Sequence, residues 1–294
     1  MNNQTPLTIE FLGTGGAIRT PRPNCHCELC RGARELGVPW SRMGPSVFVH
    51  GPDVLIDTSE DIYFQLERAK IADIAAGFYS HWHPDHTAGR RVYETRNADF
   101  TNWPPSSRCT PIYLPKKVAE DFEIWMGLAE NFRYLEKRGW VEMHSFDDPI
   151  ELNGWRITAH ALAESYVFCF LFEELAGTRR VLIAMDELVG WTPPVEFSGV
   201  DIAILPAGIF EFHPLTGQRL TPTKHPILET EATFRQTLAM AEALQPRKLI
   251  FTHIEEPFGI TPPQFEEVAA NLQHEYGWDV TFAYDTYQVA LEPI

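Results

Sequence analysis

Short apolar runs recur along the chain: "LTIEFLG", "PSVFVHG", "DVLIDTS", "AGFYSH", "PIYLP", "WRITAHAL", "VFCFLFE", "RVLIAMD", "DIAILPAG", "KLIFTH" and "VTFAYD". Each has strand length, is rich in β-branched and aromatic residues, and predicts a β-strand. Stretches at about 60–70, 116–137, 229–244 and 262–276 predict helices between several of them. Asn153-Gly154 and Ala176-Gly177 mark tight turns joining neighbouring strands. The chain carries no internal repeat or low-complexity tract, and its halves on either side of residue 150 share strand content without evident shared sequence.

Polar residues are concentrated where apolar runs end. "FYSHWHPDHTAG" places His81, His83, Asp85 and His86 within six positions, directly after "IADIAAGFYS". In an extended segment residues 81, 83 and 85 point the same way, and a helix is expected from near Thr87. Neutral imidazole and carboxylate are ligands for zinc, manganese or iron, and four such groups at one strand end are costly to gather without a cation to share. Asp186 ends "RVLIAM" and His253 ends "KLIFT" in the same way. Rigid strands presenting side chains at one edge are how a sheet builds a site.

Composition narrows the partners. With 44% hydrophobic residues the chain can bury a sizeable core, and 22% charged residues leave little room for a long disordered tail. No run approaches the roughly 18 apolar residues of a membrane span. "MNNQTPLTIEFLG" lacks the charged and apolar regions of a secretory signal, so a cytoplasmic location is expected, with no membrane. A net charge of −16 works against polyanion binding, since nucleic-acid affinity comes largely from Lys and Arg. A small or singly charged substrate fits better than a tRNA or a duplex. Three of the five cysteines, Cys25, Cys27 and Cys30, sit within six residues. Cys169 in "YVFCFLF" suits a core position, Cys109 gives no signal, and the set is not a disulfide framework.

The H-x-H-x-D-H motif of His81, His83, Asp85 and His86, with Asp186 and His253 at later strand ends, resembles the metallo-β-lactamase superfamily. The resemblance implies an α/β fold, an αββα sandwich of two mixed sheets flanked by helices, with a dinuclear metal centre at one edge. It spans nearly the whole chain, read as a single domain over 1–294 with a cysteine-rich metal loop at about 13–45. Within that superfamily, "FLGTGGAIRTPRPNCHCELC" resembles the phosphodiesterases of the carbon–phosphorus lyase pathway, which hydrolyse cyclic ribose phosphates and carry a separate structural zinc in this loop. The biosynthesis protein B of pyrroloquinoline quinone shares a similar cysteine loop.

The resemblance implies His81, His83 and a third residue on one ion, Asp85, His86 and His253 on the other, and Asp186 bridging. Where those phosphodiesterases have a third histidine this chain has Glu164, with His160 four residues earlier as the alternative. A carboxylate there hardens the site towards manganese or iron over zinc. The fourth ligand of the cysteine zinc, a histidine in the resembled family, is replaced by Glu256, with His26 as the alternative. Two divalent ions can hold a bridging hydroxide near neutral pH, which Asp85 would help to orient. His225, in "TKHPIL", matches the histidine that family uses near the leaving group and is the candidate general acid. His213 in "FEFHPLTG" is a weaker candidate.

These features point to a metal-dependent phosphodiesterase for small or cyclic phosphate esters. A same-fold enzyme with a non-phosphate substrate, such as a lactone, and a non-catalytic metal-binding carrier are the alternatives. The oligomeric state is left open, a homodimer included.

Overall fold

The computed structural model describes residues 7–291, so the first six residues, on which the reading of the N-terminal stretch partly rests, and the last three lie outside the described residues. Among the described residues, fourteen strands form two seven-stranded sheets. The first holds β1 (Thr8–Gly13), β2 (Ser46–His50), β3 (Val54–Ile56), β4 (Ala76–Phe78), β5 (Thr110–Pro115) and β6 (Val141–Phe146), side by side in chain order. The second holds β7 (Ile150–Leu152), β8 (Trp155–Ala161), β9 (Phe168–Glu174), β10 (Arg180–Ile183), β11 (Ile202–Pro206), β12 (Lys248–Thr252) and β13 (Asp279–Phe282), also in chain order. The chain then returns to the first sheet as β14 (Gln288–Ala290), antiparallel to β1.

Both sheets are mixed. β3 to β6 run parallel to one another, as do β10 to β13, while the remaining pairs are antiparallel. Alternation along the strands sorts side chains into three apolar layers. Ile9 and Phe11 of β1, Val47 and Val49 of β2, Phe170 and Phe172 of β9 and Ile202 and Ile204 of β11 meet between the sheets. The intervening residues face outwards. Phe48 and Leu55 pack beneath the helices Lys116–Ile124 and Leu128–Lys137, and Leu171, Leu182 and Leu205 beneath Phe234–Leu244 and Pro262–Tyr276. The αββα sandwich is therefore present, with runs apolar on both faces because both faces are covered.

The expected strands all form, together with three more: β6, β7 and β14. Asn153 and Gly154, both at positive φ, turn β7 into β8. The helix expected over 116–137 is two, parted where Met126 and Gly127 take left-handed backbone. Cys169 is buried in the outer layer beneath the helices and Cys109 is exposed. Among the described residues no helix is long and apolar enough to cross a membrane.

Candidate metal centre and substrate cavity

In a sheet with parallel strands, ligands gather beyond the carboxyl ends, where loops leave the scaffold. Here β4 runs out at Phe78 and delivers His81, β10 runs out at Ile183 and delivers Asp186, and β12 runs out at Thr252 and delivers His253. His83 closes the amino end of a four-residue helix, Pro84–Thr87, with Pro84 in its first turn, where a missing N–H costs nothing. That helix starts earlier than the sequence suggests, so Asp85 does not point with His81 and His83 as it would in an extended segment. His81 and His83 group with Asp186, and the helical turn carries Asp85 to His86 and His253, the split that the resemblance implied.

The ligand atoms converge. Asp186 Oδ2 lies 3.4 Å from His81 Nε2 and 3.6 Å from His86 Nε2, and its Oδ1 lies 3.5 Å from His253 Nε2. Asp85 Oδ2 lies 3.3 Å from His86 Nε2 and 3.5 Å from His253 Nε2. Asp186 thus reaches both groups. His81 Nε2, His86 Nε2, His253 Nε2 and Asp85 Oδ2 are buried without a hydrogen-bond partner among the described residues. Several orphaned polar atoms turned on one spot are what a cation-binding site requires, since each would otherwise carry an uncompensated desolvation cost. The donor set, imidazoles and carboxylates, suits divalent zinc, manganese or iron.

Electrostatics tell the same story. Burial works to raise the Asp186 pKa, but His253, His81 and His86 outweigh it and hold the carboxyl well below its ordinary value. Burial opposes charge on His253, yet Asp186 and Asp85 push its pKa up to about 9. On His83, burial and then His81 lower the pKa to about 4. The carboxylates favour protons on His86 and His253 that cations would displace.

A second set of bonds fixes the rings. Asp57, at the end of β3, is fully buried and takes left-handed backbone with φ 59. Its Oδ2 is 2.7 Å from His86 Nδ1 and accepts the Ser80 hydroxyl at 2.7 Å, and its Oδ1 accepts the Ser80 N–H at 2.8 Å. Ser80 Oγ is in turn 3.0 Å from His81 Nδ1. One carboxylate therefore orients two imidazoles, leaving their Nε2 atoms for a metal. Gly16 lies so close that an added Cβ would sit 2.7 Å from His253 Nδ1 and 2.3 Å from Glu255 Oε1, so only glycine fits there.

Glu164 is not brought into either group. It lies exposed in the turn between β8 and β9, where its carbonyl accepts the Val167 N–H at 2.9 Å. The hairpin turns before this side chain reaches the imidazoles. His160 pairs in register with Cys169, whose side chain belongs to the layer beneath the helices, and packs edge-on against Phe197 with ring centroids 4.6 Å apart. Tyr166 approaches instead, its ring 5.6 Å from that of His83 and 6.2 Å from that of His81. Burial, with Asp186 and Glu164 nearby, raises its pKa to about 12.

The cysteine loop closes on the other end of the same strand exit. Glu256 Oε1 lies 2.8 Å from the sulfur of Cys30, 3.1 Å from that of Cys27 and 3.4 Å from that of Cys25. Glu256 is buried, and its N–H donates to the Ile18 carbonyl at 3.1 Å. Three thiols and one carboxylate form a closed four-donor group that suits zinc. His26 is exposed and outside it. Cys27 also caps the helix Glu28–Leu36, its sulfur accepting the Cys30 N–H at 3.3 Å.

A cavity of about 520 Å³ opens beside the ligands, with His83, Asp85, Asp186 and His253 in its wall together with His225, from the loop before Ile227–Thr230. His225 is exposed, and its Nδ1 accepts the Ile227 N–H at 3.2 Å, leaving Nε2 as the ring nitrogen that carries the proton. His213 does not line the cavity; Leu215 N and Gln264 Nε2 lie 3.2 and 3.4 Å from its two ring nitrogens. Sequence reasoning missed Asp57, Tyr166 and a pair of glutamates in the wall, Glu187 and Glu231. Asp57 carried a signal, because it follows "VLI" as Asp186 follows "RVLIAM".

The fold and the strand-end ligands agree with the family match: the β-lactamase superfamily domain covers residues 53–254. The chain belongs to the metallo-β-lactamase superfamily. No curated protein matches it significantly. Among solved structures, a new diphosphatase from the PhnP family aligns over 98% of this chain and 98% of its own, with a TM-score of 0.70 and 24% identity. Zn²⁺-bound PqqB from Methylobacterium extorquens aligns over 97% and 100%, with a TM-score of 0.67 and 16% identity. The short form of human tRNase Z aligns over 98% and 100%, with a TM-score of 0.62 and 17% identity. At these identities the likeness is one of fold.

Proposed function

We propose that this chain, read as one domain, is a metal-dependent phosphodiesterase acting on small or cyclic phosphate esters. The observation that carries the reading is His225 in the wall of the same cavity as His83, Asp85, Asp186 and His253. His81, His83 and Asp186 would hold one ion, Asp85, His86 and His253 a second, with Asp186 in reach of both; Cys25, Cys27, Cys30 and Glu256 would hold a structural zinc. When bound, the two ions supply Lewis-acid polarisation of a phosphoryl oxygen and a lowered pKa for water.

The chain's own residues supply the rest. Asp57 and Ser80 keep His86 and His81 in one ring orientation. Asp85 is read both as a ligand and as the carboxylate that orients the attacking water. Protonated on both ring nitrogens, with the Ile227 N–H contact given up, His225 gives its Nε2 proton to the departing alkoxide, which is a poor leaving group without it. The net charge of −16 supports a small substrate over a nucleic-acid duplex.

The test separates proton donation from general damage. His225→Ala should lose little activity on bis-nitrophenyl phosphate, whose nitrophenolate leaves unaided, and about a hundredfold or more on a cyclic or alkyl phosphodiester. Equal losses on both substrates would make His225 a positioning or structural residue. No loss on either would remove the reading's main support.

A further inference from the structure

Glu256 turns its two carboxylate oxygens to different partners. Oε1 faces the sulfurs of Cys25, Cys27 and Cys30 at 2.8–3.4 Å. Oε2 is buried, has no hydrogen-bond partner among the described residues, and lies 3.5 Å from Arg22 Nε. The same guanidinium reaches Cys25, with Nη2 3.6 Å from the sulfur, and the Arg22 backbone N–H donates to the Cys30 sulfur at 3.3 Å. The Cys30 N–H serves the Cys27 sulfur. Each sulfur thus accepts an N–H, and Arg22 provides two of these donors. Arg34 also enters the loop, but its guanidinium donates to the carbonyls of Arg22, Cys25 and Cys30 and, among the described residues, to no ligand atom.

Three thiolates and a carboxylate around a divalent ion leave an excess of about two negative charges, one more than three thiolates and an imidazole would. The protein has to meet that extra charge, and groups that donate to ligand atoms both spread it and fix the direction of the ligand. Among the described residues Arg22 is the one cation within ion-pair distance of Glu256. We propose that Arg22 is the positioning residue of the cysteine metal group. Its guanidinium joins Glu256 to Cys25, supplies the counter-charge that a carboxylate in the fourth position requires, and keeps Oε1 rather than Oε2 turned to the metal. A planar, permanently charged fork suits this double contact better than a lysine ammonium. The Arg22 side chain is 49% exposed, so solvent screens the pair and its effect belongs at the low end for partners of metal ligands. The inference rests on the cysteine loop as a metal group and is independent of the phosphodiesterase reading.

Cobalt(II) reads this group alone, because sulfur-to-metal charge-transfer absorption needs thiolates and the main centre has none. The full chain loaded with cobalt is competed against a chelator while that absorption is followed. Arg22→Gln and Arg22→Lys both keep the backbone N–H and a long side chain, and differ in charge. Arg22→Gln should weaken the group about tenfold, and Arg22→Lys about threefold or less. Added salt should narrow the gap between the wild type and Arg22→Gln. In a Glu256→His background, which lacks the carboxylate, Arg22→Gln should cost only about twofold or less. Equal losses for Arg22→Gln and Arg22→Lys, or a loss as large with Glu256→His as without it, would make Arg22 a mere part of the loop's shape and overturn the proposal. Should Glu256→His bind no cobalt, the comparison of glutamine with lysine and the salt dependence decide. A wild-type protein without the charge-transfer absorption overturns the metal group and Arg22's part in it together. Absorption in the wild type with unchanged affinity in Arg22→Gln overturns Arg22's part alone.

Discussion

Asp57 spends both carboxylate oxygens on the strand end that carries the metal ligands, binding His86 directly and His81 through Ser80. Partners of this kind are worth about 10–100-fold in metal affinity. Asp57→Asn tolerates the left-handed backbone at this position and keeps one acceptor oxygen, but it loses the charge that favours a metal-ligating His86. Its expected result is a weakening of metal binding within that range, measured by competition with a chelator, with the cysteine-bound zinc retained. Unchanged affinity would limit Asp57 to a packing role. The residue scale is also where sequence reading fell short. Four histidines and aspartates packed into six positions announce themselves, whereas Asp57 is a lone aspartate whose role depends on β3 lying beside β4. Glu164 went astray for a related reason: a position carried over by likeness assumes the same hairpin, and this one turns before its side chain reaches the imidazoles.

Elements were legible wherever burial imposes a pattern. The strands apolar on both faces were all found, because two cores draw on them. β6, reading "VEMHSF", and β14, reading "QVA", lie at sheet edges with one poorly covered face, so their patterns are mixed. The break at Met126-Gly127 lacks a proline and follows from backbone geometry alone. The cysteine loop is the element whose stability has a separate source. Its amino-terminal part joins the strand exit through the Gly15–Ile254 bridge, and Glu256 ties the thiols to the residues after His253. A closed metal group contributes folding energy directly. Cys27→Ser is therefore expected to lower the melting temperature and release about one zinc per chain, while the main centre loses affinity less than the loop does. Calorimetry with metal analysis checks this, and an unchanged melting temperature with full metal content would reduce the loop to three reduced thiols.

Across the whole molecule, β4, β10 and β12 send their carboxyl ends to one edge of the sandwich, so ligands more than 100 residues apart in sequence meet there. That convergence was readable as a repeated strand-end motif; the shape and charge of the cavity beside it were not, because Glu187 and Glu231 become neighbours only once the loop after β11 folds back. Their meeting has a consequence for stability. Burial, then the Glu187 carboxyl beside it, raise the Glu231 pKa from 4.5 to about 10. A folded-state pKa raised in this way means that the folded chain holds a proton the unfolded chain has released. Its contribution to stability is full below about pH 4.5 and is lost progressively as pH rises towards 10. Glutamine at this position cannot ionise and can still donate to Glu187. Glu231→Gln should therefore gain in melting temperature relative to the wild type as pH rises from about 5 to 9, with the two differing by a constant amount below pH 4.5. The metal ligands titrate in both proteins, so their effect cancels in the difference. A difference that stays flat across this range would mean that Glu231 is ionised in the folded protein, and that the two carboxyls do not share a proton.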